Sequence, residues 1–228
     1  MPADSIGAVT LKTVLHQSLT NPWLLGVWAV LVVASLAVLI RDLREQPIGS
    51  LMRFVWGFTV LYSGPLGLAV YWYSGRKQIS RDTIWRRGFR SVCHCYSGCG
   101  AGEVTGVVVA LGILSLGTAR VAVVTFAFAY FFGYAMTVGP LMQEGVGFRE
   151  AVIDAFISET PSITVMEIVA IGTDLWLTGD AHIGQILFWT ALIFSLSLGL
   201  LAAYPVNVLL VSWGVKSGMM DPREMAAD

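Results

Sequence analysis

Residues 93–106 read Cys-His-Cys-Tyr-Ser-Gly-Cys-Gly-Ala-Gly-Glu-Val-Thr-Gly, and this stretch holds all 3 cysteines, one of the 3 histidines and a glutamate that leads into an apolar run. If a helix starts near Cys95, then Cys95, Cys99 and Glu103 recur every four residues and share one face. Two thiols and a carboxylate stacked in this way suit a soft cation, copper(I) first and zinc second. Cys93 and the imidazole of His94 extend the candidate ligand set. The competing reading is that the cysteines pack as small apolar side chains. A thioredoxin-like redox pair needs Cys-x-x-Cys, whereas this segment offers Cys-x-Cys and Cys-x-x-x-Cys.

The elements that must position these groups are set by composition. Of the 228 residues 56% are hydrophobic and 13% charged, about half the charged share of a soluble domain. The apolar residues fall in long blocks, so the expected fold class is an all-α integral membrane protein, a six-span transmembrane helical bundle. The expected spans are Trp23–Ile40, Met52–Tyr73, a third from about Gly98 to Gly117, Val121–Met142, a fifth from Pro161 to Thr178 and Ile183–Trp213. Gly64-Pro65 reads as a kink inside the second. Residues 1–20 read as an interfacial N-terminal segment, 21–216 as the transmembrane domain and 217–228 as a short C-terminal tail. Residues 145–159 read as a short amphipathic helix. The N-terminus shows no basic region before a short apolar core, so no removable signal peptide is expected.

Arg76, Lys77, Arg81, Arg86, Arg87 and Arg90 form the one strongly basic loop. Between two spans it reads as a topology determinant rather than a nucleic-acid patch. With six spans, the balance of Lys and Arg puts both termini in the cytoplasm (N-in/C-in) and the Cys-His-Cys segment at the cytoplasmic mouth of the third span. In that frame Glu103, Glu167 and Asn207 fall at similar depth in the cytoplasmic half. Asp174 lies seven residues beyond Glu167, nearer the outer surface. Carboxylates within a bilayer are expensive enough to point to function, although each could instead be protonated or bonded to a neighbouring helix. His16 and His182 read as interfacial, and no haem or nucleotide site is expected. Met136, Met142, Met166, Met219 and Met220 could offer thioethers to copper, but methionine commonly fills gaps.

Several segments in order resemble a family of bacterial membrane proteins filed as domain of unknown function 4396, over about residues 55–220. They are Gly64-Pro65-Leu66-Gly67 with Tyr71; His94-Cys95-x-x-Gly98-Cys99-x-x-Gly102-Glu103; Ser162-Ile163-Thr164-x-Met166-Glu167-Ile168; and Tyr204-Pro205-x-Asn207 with Gly214-x-Lys216-x-x-Met219. Met166 and Val169 depart from an aromatic and a glycine expected there. The resemblance implies a polytopic fold and groups His94, Cys95, Cys99, Glu103, Glu167 and Asn207 as candidates. It supplies no activity, although some relatives are associated with copper-handling proteins.

The leading expectation is binding and translocation of a soft metal cation, copper before zinc, in a bacterial inner membrane. Cys93, His94, Cys95, Cys99, Glu103 and Glu167 are the ligand candidates, with Asp174 and Asn207 as further intramembrane polar groups. The alternative is a non-transporting accessory subunit or assembly factor in a homo-oligomer or larger membrane complex. A membrane thiol oxidoreductase comes third, so an enzyme is the less favoured class. The lipid bilayer and the metal ion are the expected partners, nucleic acid is not, and any transport energy would come from a gradient.

Overall fold

The structure, a computed structural model, describes residues 3–143, 145–179, 181–219 and 221–224. Met220 and the last four residues of the expected tail lie outside the described residues. The regular elements are α1 (Ala3–Thr20), α2 (Pro22–Leu43), α3 (Ser50–Ser63), α4 (Pro65–Ser74), α5 (Ile84–Val107), α6 (Thr118–Gln143), α7 (Phe148–Thr178) and α8 (Ile186–Ser212). A π-helical segment, Val108–Ile113, continues α5. Five of these are long and apolar enough to cross a membrane: α2, α5 with its π-helical continuation, α6, α7 and α8. The chain is an all-α membrane protein, as its composition implies.

The expected second span does not form. At 1.5 Å per residue α3 and α4 reach only about 21 and 15 Å, short of a hydrocarbon core of about 30 Å. Nor do they run on from one another. Gly64, between them, has φ 55° and ψ −128°, a conformation that glycine reaches easily and other residues do not. Pro65 then opens α4, where its missing N–H goes unnoticed. The chain therefore reverses instead of kinking. Trp56 on α3 packs edge-on against Tyr71 on α4, ring centroids 5.3 Å apart. A methyl group on Gly67 would stand 2.6 Å from the Thr59 carbonyl oxygen, and one on Gly75 would overlap the Trp56 ring. Residues late in α4 thus oppose residues early in α3, which makes the pair an antiparallel hairpin. Its open end is tied to the end of α2. Tyr71 donates to Asp42 at 2.5 Å, Arg76 pairs with Asp42 at 2.8 Å and Gln46 donates to Gln78 at 3.2 Å.

A hairpin returns to the end at which it began, so among the described residues five helices remain long and apolar enough to cross. The end of α1 and the segment after α8 consequently sit at opposite ends. His16 Nε2 bonds the Leu177 carbonyl at 2.5 Å, and the Thr190 hydroxyl donates to the Leu19 carbonyl at 3.0 Å. Both contacts hold α1 where α7 ends and α8 starts. The segment after α8 packs instead on the start of α5, where Arg87 donates twice to the Ser217 carbonyl, at 3.0 and 2.6 Å. The expected second span, Met52–Tyr73, is therefore corrected to a hairpin of two short helices.

Two helices are longer than their apolar runs suggest. α5 starts at Ile84 rather than near Gly98 or Cys95, because the protein itself pairs the one arginine that its first turns bury. Arg90, 1% exposed, donates to the Ser74 carbonyl at 3.1 Å and pairs with Asp82 at 2.8 Å. The amphipathic stretch 145–159 and the expected fifth span are likewise one helix, α7, with Pro161 inside it. A single proline removes one backbone bond. Around it Thr160 donates to Phe156 O and Thr164 to Thr160 O, with Tyr134 and Tyr130 bonded to the two threonine hydroxyls.

α5 lies at the centre, buried from Ser91 to Gly100. Glycines four residues apart let α6 approach closely. A methyl on Gly102 would lie 2.5 Å from Phe128 O, and one on Gly106 would lie 2.7 Å from Thr125 Cα.

Candidate functional site

Near the middle of α5 the i, i+4 spacing does bring side chains together. Cys95 Sγ and Cys99 Sγ stand 3.8 Å apart. Glu167 of α7 faces this row, interacting with both thiols and with the Glu103 carboxyl. Glu167 is 0% exposed and Glu103 2%. Glu103 and Cys99 come within reach of the Glu167 carboxyl, yet neither Glu167 oxygen makes a well-formed hydrogen bond, nor does Glu103 Oε1. All 3 cysteines are free thiols. The centre is thus two thiols and two carboxyl groups in a buried layer between α5 and α7. Unpaired buried oxygens of this kind are unfavourable, at roughly 1–3 kcal/mol each, unless something else meets them.

The other expected ligands point elsewhere. Cys93 turns towards Thr59 of α3. His94 turns towards α6 at the level of Met136, one ring nitrogen directed at the Met136 backbone carbonyl while Nε2 has no partner. Asn207 does not share the depth of the glutamates. It meets Ser91, which donates to its Oδ1 at 2.8 Å, twelve positions or about 18 Å along α5 from Glu103. Among the described residues, no three His, Cys, Asp or Glu side chains are gathered so that they could hold a metal ion as they stand.

His94 instead forms part of the wall of a 620 Å³ cavity that opens where α5 and α7 begin and α8 ends. Here lie residues that the sequence reading passed over. Lys216, just past α8, buries its ammonium 2.6 Å from Glu159 and 2.9 Å from Asn207 Oδ1. Asn207 Nδ2 donates to Ser162 at 2.5 Å and to the Ala203 carbonyl at 2.9 Å. One network therefore ties α5, α7, α8 and the segment after α8 together. Residues 215–219 help to close the cavity. Farther out, Arg223 pairs with Asp221 at 2.6 Å and its hydrogen bonds hold that carboxyl below the usual carboxylate range. The resemblance motifs contained Ser162 and Lys216, and that was the one available signal for this network.

A second cavity, of 440 Å³, opens at the other end of the bundle, between the α5–α6 and α7–α8 connections. Glu103, Thr125, Asp174 and His182 line it. His94 at the floor of one cavity and Glu103 at the floor of the other are nine residues apart, about 13–14 Å. The cysteine–glutamate layer lies between them.

The profile of the family described as Domain of unknown function (DUF4396) matches residues 84–216, from the first residue of α5 to Lys216. The chain belongs to the DUF4396 family. The DUF4396 match contains the whole cysteine–glutamate layer and the Lys216 network, while the Gly64-Pro65 hairpin and α2 lie outside it. Comparisons with curated proteins and with solved structures returned no match.

Proposed function

We propose that this DUF4396 protein translocates a soft metal cation, copper(I) before zinc, across a bacterial inner membrane. One observation carries the reading: a buried layer of two thiols and two carboxyl groups separates cavities that open at opposite ends of the bundle. A path closed at its centre by ligand-type side chains is what alternating access to a midplane site requires. The sulfur spacing supports it further. Two thiolates on one tetrahedral ion, each about 2.3 Å from it, stand about 3.8 Å apart, and Cys95 and Cys99 already have a separation of 3.8 Å. The cargo would draw the unpaired Glu167 oxygens to it as further ligands, since the side chains are not gathered around an ion beforehand.

The direction of insertion follows from charge. Of the 14 Lys and Arg residues, only Lys12 and Arg120 belong to the end that holds α1. The basic end is then cytoplasmic. This keeps the C-terminus inside and places the N-terminus outside.

The purified protein should take up about one copper(I) or silver(I) per chain. The double substitution Cys95→Ser and Cys99→Ser should abolish uptake without lowering expression. Glu167→Gln should slow silver(I) entry into vesicles by about tenfold or more while leaving stability level or raised. Full uptake by the double serine variant would overturn the reading. So would a silent Glu167→Gln beside an unstable Glu167→Ala, which would favour the accessory-subunit alternative.

A further inference from the structure

Three side chains on three different helices leave an oxygen without a partner at the cavity away from the basic end. They are Glu103 Oε1 on α5, Thr125 Oγ1 on α6 and Asp174 Oδ1 on α7. Glu103 and Thr125 are 2% and 5% exposed. Their alignment is built into the packing: the Gly106 backbone lies against the Thr125 backbone, so Thr125 stands within one turn of the level of Glu103. Asp174 is close enough for its charge to act on Glu103. Buried polar groups are normally paired, and three unpaired oxygens lining one open cavity leave room there for a common partner.

That partner is a cation. The unpaired atoms comprise two carboxylate oxygens and a hydroxyl, Glu167 adds a further carboxyl behind them, and His182 at the rim is, among the described residues, the one lining side chain that could carry positive charge. Donor type decides the class: an all-oxygen set suits a hard cation, in contrast to the thiols of Cys95 and Cys99 next to it. Charge decides further. The cost of desolvating an ion scales with the square of its charge, so a dication at this depth would cost about four times as much as a monocation of the same size.

We propose that Glu103, Thr125 and Asp174 form a binding site for a hard monocation of the alkali class, entering from the end opposite the basic one. Binding shares Glu103 with the soft-metal layer but uses neither of its thiols. The role of binding rests on the soft-metal reading: an ion bound beside the cargo site and admitted from one face is placed to couple a gradient to transport.

The test is thermal unfolding of the full chain in detergent, at fixed pH and ionic strength, with sodium chloride replacing choline chloride. A saturable rise in Tm with sodium is expected. Thr125→Val, which removes a hydroxyl that has no partner, and Asp174→Asn should each weaken the apparent sodium affinity by about tenfold or more. If Asp174→Asn does not fold, Thr125→Val carries the test alone. The Cys95→Ser, Cys99→Ser double variant should keep the full sodium response, so that loss of soft-metal uptake and loss of this site are told apart. No sodium-dependent shift, a shift unchanged in both variants, or a response to pH with none to sodium would each overturn the proposal.

Discussion

At the level of single residues, a four-residue repeat could be recognised before any fold was known. Cys95, Cys99 and Glu103 share a face because helical geometry puts them there, and Glu167 stood out as a carboxylate in an apolar run. The direction of Cys93 and His94 was not legible, since neighbours on a helix point about 100° apart and only packing says which helix each one meets. The Lys216–Glu159 pair was hidden for another reason. Its partners are 57 positions apart, one at the last residue of the expected transmembrane domain and the other at the end of an apparent amphipathic helix. The pair gives a clear expectation. Breaking a buried pair from one side leaves the other charge uncompensated, which costs about 3–5 kcal/mol, whereas removing both is far milder. Lys216→Met should therefore lower the unfolding temperature strongly, and the Lys216→Met, Glu159→Gln double variant should recover most of the loss. A double variant as unstable as the single would mean that Lys216 acts through packing or through Asn207 alone.

Among the elements, α2, α6 and α8 could be read from their apolar runs alone. The errors came at Gly64-Pro65 and at the start of α5. A glycine–proline pair inside an apolar stretch fits a kinked span and a reversal equally well by composition. The decision rests on tertiary facts: the positive φ of Gly64 and the near-contact of Gly67 with Thr59. The start of α5 was misjudged because charges usually end a span, yet Arg90 finds its partners in Ser74 and Asp82. The hairpin has a direct chemical consequence. Gln46 and Gln78 flank it and share a hydrogen bond of 3.2 Å, whereas a crossing of this segment would hold them about 30 Å apart. With Gln46→Cys and Gln78→Cys introduced together, mild oxidation should give a disulfide within one chain, seen as a mobility shift that reductant reverses. The native cysteines are all buried and need not be removed. Failure to cross-link, with both new thiols labelled from opposite faces of sealed vesicles, would restore a sixth span.

For the whole molecule, replacing a span by a hairpin changes more than a count. Every loop from residue 75 onward keeps its place relative to the C-terminus, while α1, both ends of α2 and the loop that follows α2 change sides. That exchange sharpens the charge asymmetry. Under six crossings Arg41, Arg44 and Arg53 join Arg120 on the less basic face. Under five they join the basic loop, and only Lys12 and Arg120 remain opposite. Insertion follows the Lys and Arg balance of short flanking loops, so the fold and the insertion signal agree better once the hairpin is drawn. A reporter active only outside the membrane discriminates the two arrangements at one position. Fused after Asp228 or inserted next to Ser80 it should be silent, and inserted between Thr178 and Ile183 it should be active, under either arrangement. Fused ahead of Met1 it should be active with five crossings and silent with six. An active N-terminal fusion would also fix the direction of the ion path, with the Glu103 cavity facing outward and the Lys216 network closing the cytoplasmic side. A silent one, with the other three positions unchanged, would require the hairpin to open into a crossing.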